Sequence, residues 1–204
     1  MKNYWNDIYK NLNNTKPVYD LWLDKYRYIL DEYKDTTIVD LGCGSGGDTL
    51  YLIERNYKVL SCDYSKEALS IVNKFIPSAK TMYLDLTNKL PFKDDSISII
   101  IADLSIHYFN DATTKNIISE IKRVLKPSGY LIGRVNSIKD INYGALTGKK
   151  IENNFYLTRD GYKRFFNEED IEYYFKDFNI KNYSEENMNR YGNEKITLEF
   201  LVQK

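Results

Sequence analysis

Short apolar runs rich in β-branched residues punctuate the first two-thirds of the chain: "TTIVDL" (36–41), "YKVLSC" (57–62), "AKTMYL" (79–84), "ISIIIAD" (97–103) and "YLIGRVN" (130–136). Between them, "DTLYLIERN", "SKEALSIVNKFI" and "ATTKNIISEIKRVL" repeat Leu, Ile or Val every three or four residues, the spacing of one buried helix face. This alternation predicts βα units around a parallel sheet. "ISIIIA" is apolar almost without a break, which predicts a central strand covered on both faces. Lys126-Pro127-Ser128-Gly129 predicts a turn into the fifth strand.

Past residue 136 the pattern changes. Residues 137–167 show no clear period, although Asp160-Gly161 inside "YLTRDGYKRFF" predicts a hairpin. Residues 168–176 read as a helix, and "FNIKNY" and "KITLEFLVQ" read as an antiparallel strand pair at the sheet edge. Ahead of the first strand, Trp5, Ile8, Tyr9 and Leu12, then Tyr19, Trp22, Leu23 and Tyr26, recur at helical spacing. The expectation is one α/β domain over 1–204: N-terminal helices forming a lid over 1–35, a core over 36–136, and a substrate-side loop with C-terminal strands over 137–204.

The 29 basic and 29 acidic residues cancel and are scattered, so no electrostatic footprint for nucleic acid or an anionic membrane is visible. No apolar run approaches the ~20 residues of a membrane helix, and the N-terminus lacks a signal-peptide core. Cys43 and Cys62 have neither metal-site nor disulfide spacing. A protein of the reducing cytoplasm is expected, with no metal, no membrane and no nucleic acid among its partners.

The first strand runs into "DLGCGSGGDT", a glycine loop followed by a helix, a geometry that lets a ligand approach the backbone closely. Gly42, Gly47 and Thr49 fit the spacing of a triphosphate loop, yet Asp48 stands where that loop needs lysine. Gly42, Gly44 and Gly47 also satisfy the dinucleotide spacing, so spacing alone leaves NAD open. Asp40 weighs against phosphate: two like charges about 5 Å apart repel by roughly 3 kcal/mol at an effective dielectric of about 20. A ligand carrying ammonium is favoured instead.

With those residues in view, "VDLGCGSG" resembles the first motif of class I S-adenosylmethionine-dependent methyltransferases, and the likeness continues across 36–136. "LSCDYS" resembles the second motif, "YLDLTNKLPF" the third, "IIIADLSIHYF" the fourth and "LKPSGYLIGRVNS" the turn and strand that follow. The resemblance implies a Rossmann-like, doubly wound, mostly parallel seven-stranded sheet. It implies S-adenosyl-L-methionine as cofactor, with S-adenosyl-L-homocysteine as product. It places Asp40, Gly42, Cys43, Gly44 and Gly46 in the cofactor loop. Asp63 is then the ribose acid with Tyr64 beside it, Asp85 and Leu86 meet the adenine, and Asp103 and Leu104 lie near the methyl group. A cofactor-binding module without catalysis and an NAD-dependent oxidoreductase stay open as alternatives.

The single histidine, His107, follows the fourth motif and is the candidate general base, with Tyr108, Asn136 and Tyr143 as substrate-side candidates. The base-methylating Pro-Pro run is missing after the fourth strand, where Asp103-Leu104-Ser105-Ile106 stands, and no nucleophilic cysteine lies there. A small-molecule acceptor is therefore expected. The tryptophan-bearing N-terminal helix, "DLSIHYF" and "RVNS" are most similar to small bacterial methyltransferases of the tellurite-resistance and thiopurine-like group.

Overall fold

The computed structural model describes residues 2–12, 14–188 and 192–204. The chain opens with α1 (Lys2–Asn11), a 3-10 turn (Trp22–Tyr26) and α2 (Arg27–Glu32). Strands and helices then alternate: β1 (Thr37–Leu41), α3 (Gly47–Glu54), β2 (Lys58–Asp63), α4 (Lys66–Phe75), β3 (Lys80–Tyr83), β4 (Ile97–Asp103), α5 (Asp111–Val124) and β5 (Leu125–Asn136). After a 3-10 turn at Ile141–Tyr143 come β6 (Lys149–Glu152), β7 (Phe155–Thr158), β8 (Gly161–Arg164), α6 (Glu168–Tyr174), β9 (Asn179–Met188) and β10 (Lys195–Gln203).

Seven strands form one sheet in the order β3-β2-β1-β4-β5-β10-β9. Pairings from β3 through β5 are parallel, whereas β10 is antiparallel to both β5 and β9. The expected doubly wound, mostly parallel sheet is therefore present. β10 is buried along most of its length because it is an interior strand, and of the C-terminal pair β9 alone lies at a sheet edge, opposite β3. Strand pleat sorts the core into two layers. Ile100 and Ala102 of β4 join Ile117, Ile118 and Ile121 of α5 on one face. Ile99 and Ile101 join Trp22, Leu23, Leu50 and Val72 on the other.

Local chemistry sets the element ends. Ser65 caps α4 by accepting from the Ala68 N–H at 3.2 Å, and Asn110 caps α5 by accepting from Thr113 at 2.9 Å. Asn167 and Asp170 form a reciprocal capping box at α6. The Lys126–Gly129 turn appears as a slip in strand pairing: Ile97 meets Leu125, Ile99 meets Tyr130, and Ser128 takes a φ of 65° between them. The loop from β3 to β4 is held by α5, whose Arg123 donates to the carbonyls of Leu90 and Phe92 at 3.0 Å.

The aperiodic stretch 137–167 folds into a separate antiparallel sheet, β6-β7-β8. Its expected hairpin joins β7 to β8 through Arg159 and Asp160, with Thr158 paired to Gly161. β6 carried no signal because its residues, "KKIE", are largely exposed and charged. Backbone bonds from Arg164 N–H to the His107 carbonyl and from Phe166 N–H to the Asn136 carbonyl, both 2.7 Å, fasten this unit to the main sheet.

Strand order reverses between β1 and β4, and the crevice at the carboxyl ends of those strands is the natural ligand site of such a sheet. The sheet beneath it is tightly packed: a Cβ on Gly133 would lie 2.5 Å from Phe200 Cζ, and the Phe200 ring sits 4.6 Å from that of Phe175. Phe200→Ala is expected to lower unfolding free energy by about 3–5 kcal/mol, measured by urea denaturation. A loss below roughly 1 kcal/mol would show that the core can collapse into the space.

Candidate functional site

Asp40, Asp63 and Asp103 end β1, β2 and β4, so three neighbouring strands deliver carboxylates to one crevice. The crevice opens into a cavity of about 900 Å³ that the glycine loop shares with His107, Asn136 and Tyr143. The remaining expected site residues Cys43, Tyr64, Asp85, Leu86, Leu104 and Tyr108 also line it. Gly46 does not. Its φ of 94° caps α3, and a Cβ there would strike Val72 Cγ2 at 2.9 Å and Ile76 Cδ1 at 3.1 Å, so this glycine lets α3 pack on α4. Ser45 and Gly47 line the cavity in its place.

Two other glycines are required by close approach. A Cβ on Gly42 (φ 75°) would lie 2.3 Å from Ser105 Cβ, and one on Gly44 (φ 53°) 2.7 Å from the Tyr9 hydroxyl. Tyr9 thus lies over the loop. Trp5 stacks on Tyr9 and meets Tyr108 edge-on at 5.3 Å, so α1 forms one wall of the cavity. Leu104 holds a φ of 52°, an uncommon conformation for a branched side chain, while its N–H donates to the Arg134 carbonyl at 2.9 Å.

The acids differ in how they are compensated. Asp103 receives two guanidinium bonds from Arg134, both 2.7 Å, and Arg134 also donates to Asp20 at 2.9 Å while lying 4.3 Å over the Trp22 ring. Trp22 Nε1 in turn donates to Asp48 at 2.9 Å. Asp40 accepts from the Thr49 hydroxyl at 2.8 Å, and Thr49 is bonded to Ser61 at 2.7 Å. Asp63 accepts backbone N–H bonds from Gly44 at 2.9 Å and Ser65 at 2.8 Å. Neither Asp40 nor Asp63 has an ion-pair partner among the described residues. Burial, and then the neighbouring Asp48 charge, push the Asp40 carboxyl well above the usual carboxylate range. Burial alone raises Asp63 against the pull of its backbone donors.

At the β6–β8 side the chemistry inverts. His107 is 1% exposed and its Nδ1 has no hydrogen-bond partner among the described residues. Burial, then the Lys195 and Lys163 cations, hold its protonation well below the ordinary imidazole range, so it is neutral. Asn136 Oδ1 accepts from Lys195 Nζ at 2.6 Å, and the Tyr143 ring lies 4.5 Å from the same ammonium. Asp85 accepts from the Thr87 N–H at 3.0 Å and its hydroxyl at 2.7 Å, bracing its own turn while facing the cavity. Cys43 and Cys62 are buried thiols, and burial raises both, which makes them poor nucleophiles.

Sequence reading missed Ser105, whose buried Oγ lacks a partner, and the cavity lysines Lys163 and Lys195. Lys195 opens an otherwise apolar strand, which is a faint signal, and no periodicity marks the other two.

Residues 39–133 match the family described as a methyltransferase domain. The fold is that of solved S-adenosylmethionine-dependent methyltransferases. A solved S-adenosylmethionine-dependent methyltransferase from Methanosarcina mazei superposes on this fold with a TM-score of 0.75, covering 86% of this chain and 96% of that one at 24% identity. An uncharacterized methyltransferase of Synechocystis is 34% identical over 92 residues, 45% of this chain and 43% of that protein. A tRNA N(3)-cytidine methyltransferase of Xenopus tropicalis is 26% identical over 148 residues, 66% of this chain and 44% of that one. This chain thus spans less than half the length of either relative. Among the described residues, no helix is long and apolar enough to cross a membrane, and no group of three side chains is placed to hold a metal ion.

The site fits S-adenosylmethionine on physical grounds. Two buried carboxylates lacking a cation suit a ligand that brings an ammonium and a sulfonium, and the lone pairs left on Asp63 suit hydroxyl donors. The same acids oppose the pyrophosphate of a dinucleotide.

Two outcomes are expected in calorimetric titration with S-adenosylhomocysteine. Asp63→Ala weakens binding by about 1.5–3 kcal/mol for each charge-assisted bond removed, and unchanged affinity would take Asp63 out of the site. Binding also releases protons, because the ligand's cation lowers carboxyl pKa values that burial raises in the free protein. Affinity therefore weakens as pH falls, and the measured heat varies with the ionisation enthalpy of the buffer.

Proposed function

We propose that this protein transfers a methyl group from S-adenosylmethionine to a small-molecule acceptor. The supporting observation is the single cavity of about 900 Å³ that joins the acid-lined glycine loop to His107, Asn136 and Tyr143. That volume lies in the range of sites that enclose small ligands. A tRNA acceptor, the substrate class of the Xenopus relative, calls for a cationic track along the backbone, and the balanced charge of this chain favours the smaller substrate.

In this reading Asp63 holds the ribose hydroxyls, with Tyr64 beside it. Asp85 and Leu86 flank the adenine. Asp40, Gly42, Cys43 and Gly44 surround the amino-acid end, and Asp103 and Leu104 border the methyl group. The bound cofactor supplies an electrophilic methyl on a sulfonium. The protein's part is to align the acceptor and exclude water, which for two reactants fixed in line is worth up to about 7–11 kcal/mol of barrier. Tyr9 and Trp5 from α1 close one side of the cavity and Tyr143 another. The part we assign to α1, a lid over the cofactor, follows from that position.

His107 suits a hydrogen-bonding role better than proton storage. Its Nδ1 is unpartnered and its ring neutral, so it can accept a bond from an acceptor's hydroxyl or amine and orient the lone pair. Burial and then the lysine cations, which keep it neutral, also penalise the imidazolium that a general base must become. The acceptor's proton then leaves to water after methyl transfer.

Incubation with S-adenosylmethionine and a panel of small hydroxyl, amine and thiol acceptors, with bulk tRNA as a separate arm, is expected to yield S-adenosylhomocysteine with a small acceptor. Product with tRNA alone would overturn the acceptor class. His107→Ala should lower kcat while leaving cofactor affinity intact. The kcat profile of the unmodified enzyme should show no histidine inflection near neutral pH, and an inflection that His107→Ala abolishes would restore the general-base role.

A further inference from the structure

We infer that the acceptor carries an anionic group, a carboxylate or an equivalent oxyanion, received by Lys195 with Lys163 beside it at the β6–β8 side of the cavity. The inference rests on the methyl-transfer reading and names the substrate class of that same site.

Lys195 is 5% exposed, yet its side chain lines the cavity. An ammonium is costly to bury and stays only where acceptors surround it. Nζ donates to Asn136 Oδ1 at 2.6 Å and to Asp140 Oδ2 at 2.8 Å. Asp140 is itself buried and does not line the cavity, so the counter-ion sits behind the ammonium. An ammonium has three hydrogens, and the third, beside the Tyr143 ring at 4.5 Å, meets a weaker partner there than a ligand oxyanion would be. Lys163 Nζ, braced by the Tyr143 carbonyl at 3.3 Å, also reaches the cavity, and its carboxylate partner Asp160 at 3.1 Å is 44% exposed and screened by water.

His107 lines the same volume and its buried Nδ1 is unpartnered among the described residues; it has been argued above to meet the acceptor's reacting group. Burial is the first cause that opposes protonation of His107, and the two lysines add to it, each by more than Asp103 offsets. The cavity is therefore polarised: carboxylates suit a cation at the glycine loop, and at the other side Lys195 and Lys163, set against the one solvent-screened carboxylate of Asp160 that also lines the wall, suit an anion. A cationic acceptor would meet Lys195 and Lys163 unfavourably, and a neutral one would offer the third Lys195 hydrogen a weaker bond than an oxyanion does.

The test uses the protein saturated with S-adenosylhomocysteine, whose binding is measured first. Benzoate, phenylacetate and salicylate, each beside its own carboxamide, are then compared by calorimetry and thermal shift. At least one acid is expected to bind about tenfold or more tightly than its amide, as befits a charge-assisted bond over a neutral one. Lys163→Met should reduce that preference. The paired variant Lys195→Met with Asp140→Asn removes both buried charges together, leaves no unpaired ion, and should abolish the preference while retaining S-adenosylhomocysteine binding. Failure of S-adenosylhomocysteine to bind the unmodified protein would overturn the methyl-transfer reading itself. Normal S-adenosylhomocysteine binding with no acid bound, with acids and amides bound alike, or with a preference that survives the paired variant would overturn the anion site alone.

Discussion

Negative charge held out of water at the ends of β1, β2 and β4 is the constraint around which this molecule is arranged. A buried carboxylate is tolerated when a cation or several donors meet it. Arg134 performs that service for Asp103, and by reaching Asp20 and covering Trp22 it also binds the segment ahead of α2 to the sheet. Asp40 and Asp63 receive hydrogen bonds but no cation. The fold therefore carries an electrostatic cost that a bound cation relieves, and a ligand that binds only the folded state stabilises it by mass action.

The unit made of β6, β7 and β8 completes the cavity by a different device. Arg164 lies buried beneath it, donating to the carbonyls of Phe109 and Asn153 and to Glu152, and its guanidinium stands over the rings of Phe155 and Tyr174. One charged side chain thus ties the start of α5, the small sheet and α6 together. With its own backbone bonded to His107, Arg164 also sets the height at which that imidazole sits.

Much of this architecture was legible in the residues because its cause is local. The nearly unbroken apolar run at 97–102 announced a strand covered on both faces, and β4 is that strand. The three- and four-residue spacing of 117, 118 and 121 announced the buried face of α5. The acids ending β1, β2 and β4 were visible because strand ends and glycine turns are written in short stretches. Other features depend on chain segments far apart in sequence and left no local trace. Gly46 looked like part of the ligand loop, and only the approach of α4 shows that its missing side chain serves packing. Lys195 reaches Asn136 across a strand pairing 59 residues away, and no periodicity encodes that meeting. β6 was hidden because an exposed, charged strand in a small sheet lacks the apolar alternation that marks larger ones.

The placement of β10 between β5 and β9 bears on how the chain acquires this structure. Until residues 195–203 have been synthesised, β5 presents an unpaired edge next to the most apolar strand of the sheet, and β9 has no neighbour on which to form. Such an edge is a template for pairing with other chains. The pairing that closes it joins segments some sixty residues apart, with Thr197 beside Asn136, and loop closure over that distance slows folding. Nascent chains are thus exposed to aggregation at the edge of β5 until β10 covers it, and because β10 also brings in Lys195, the cavity wall and the protection of that edge arrive in one step.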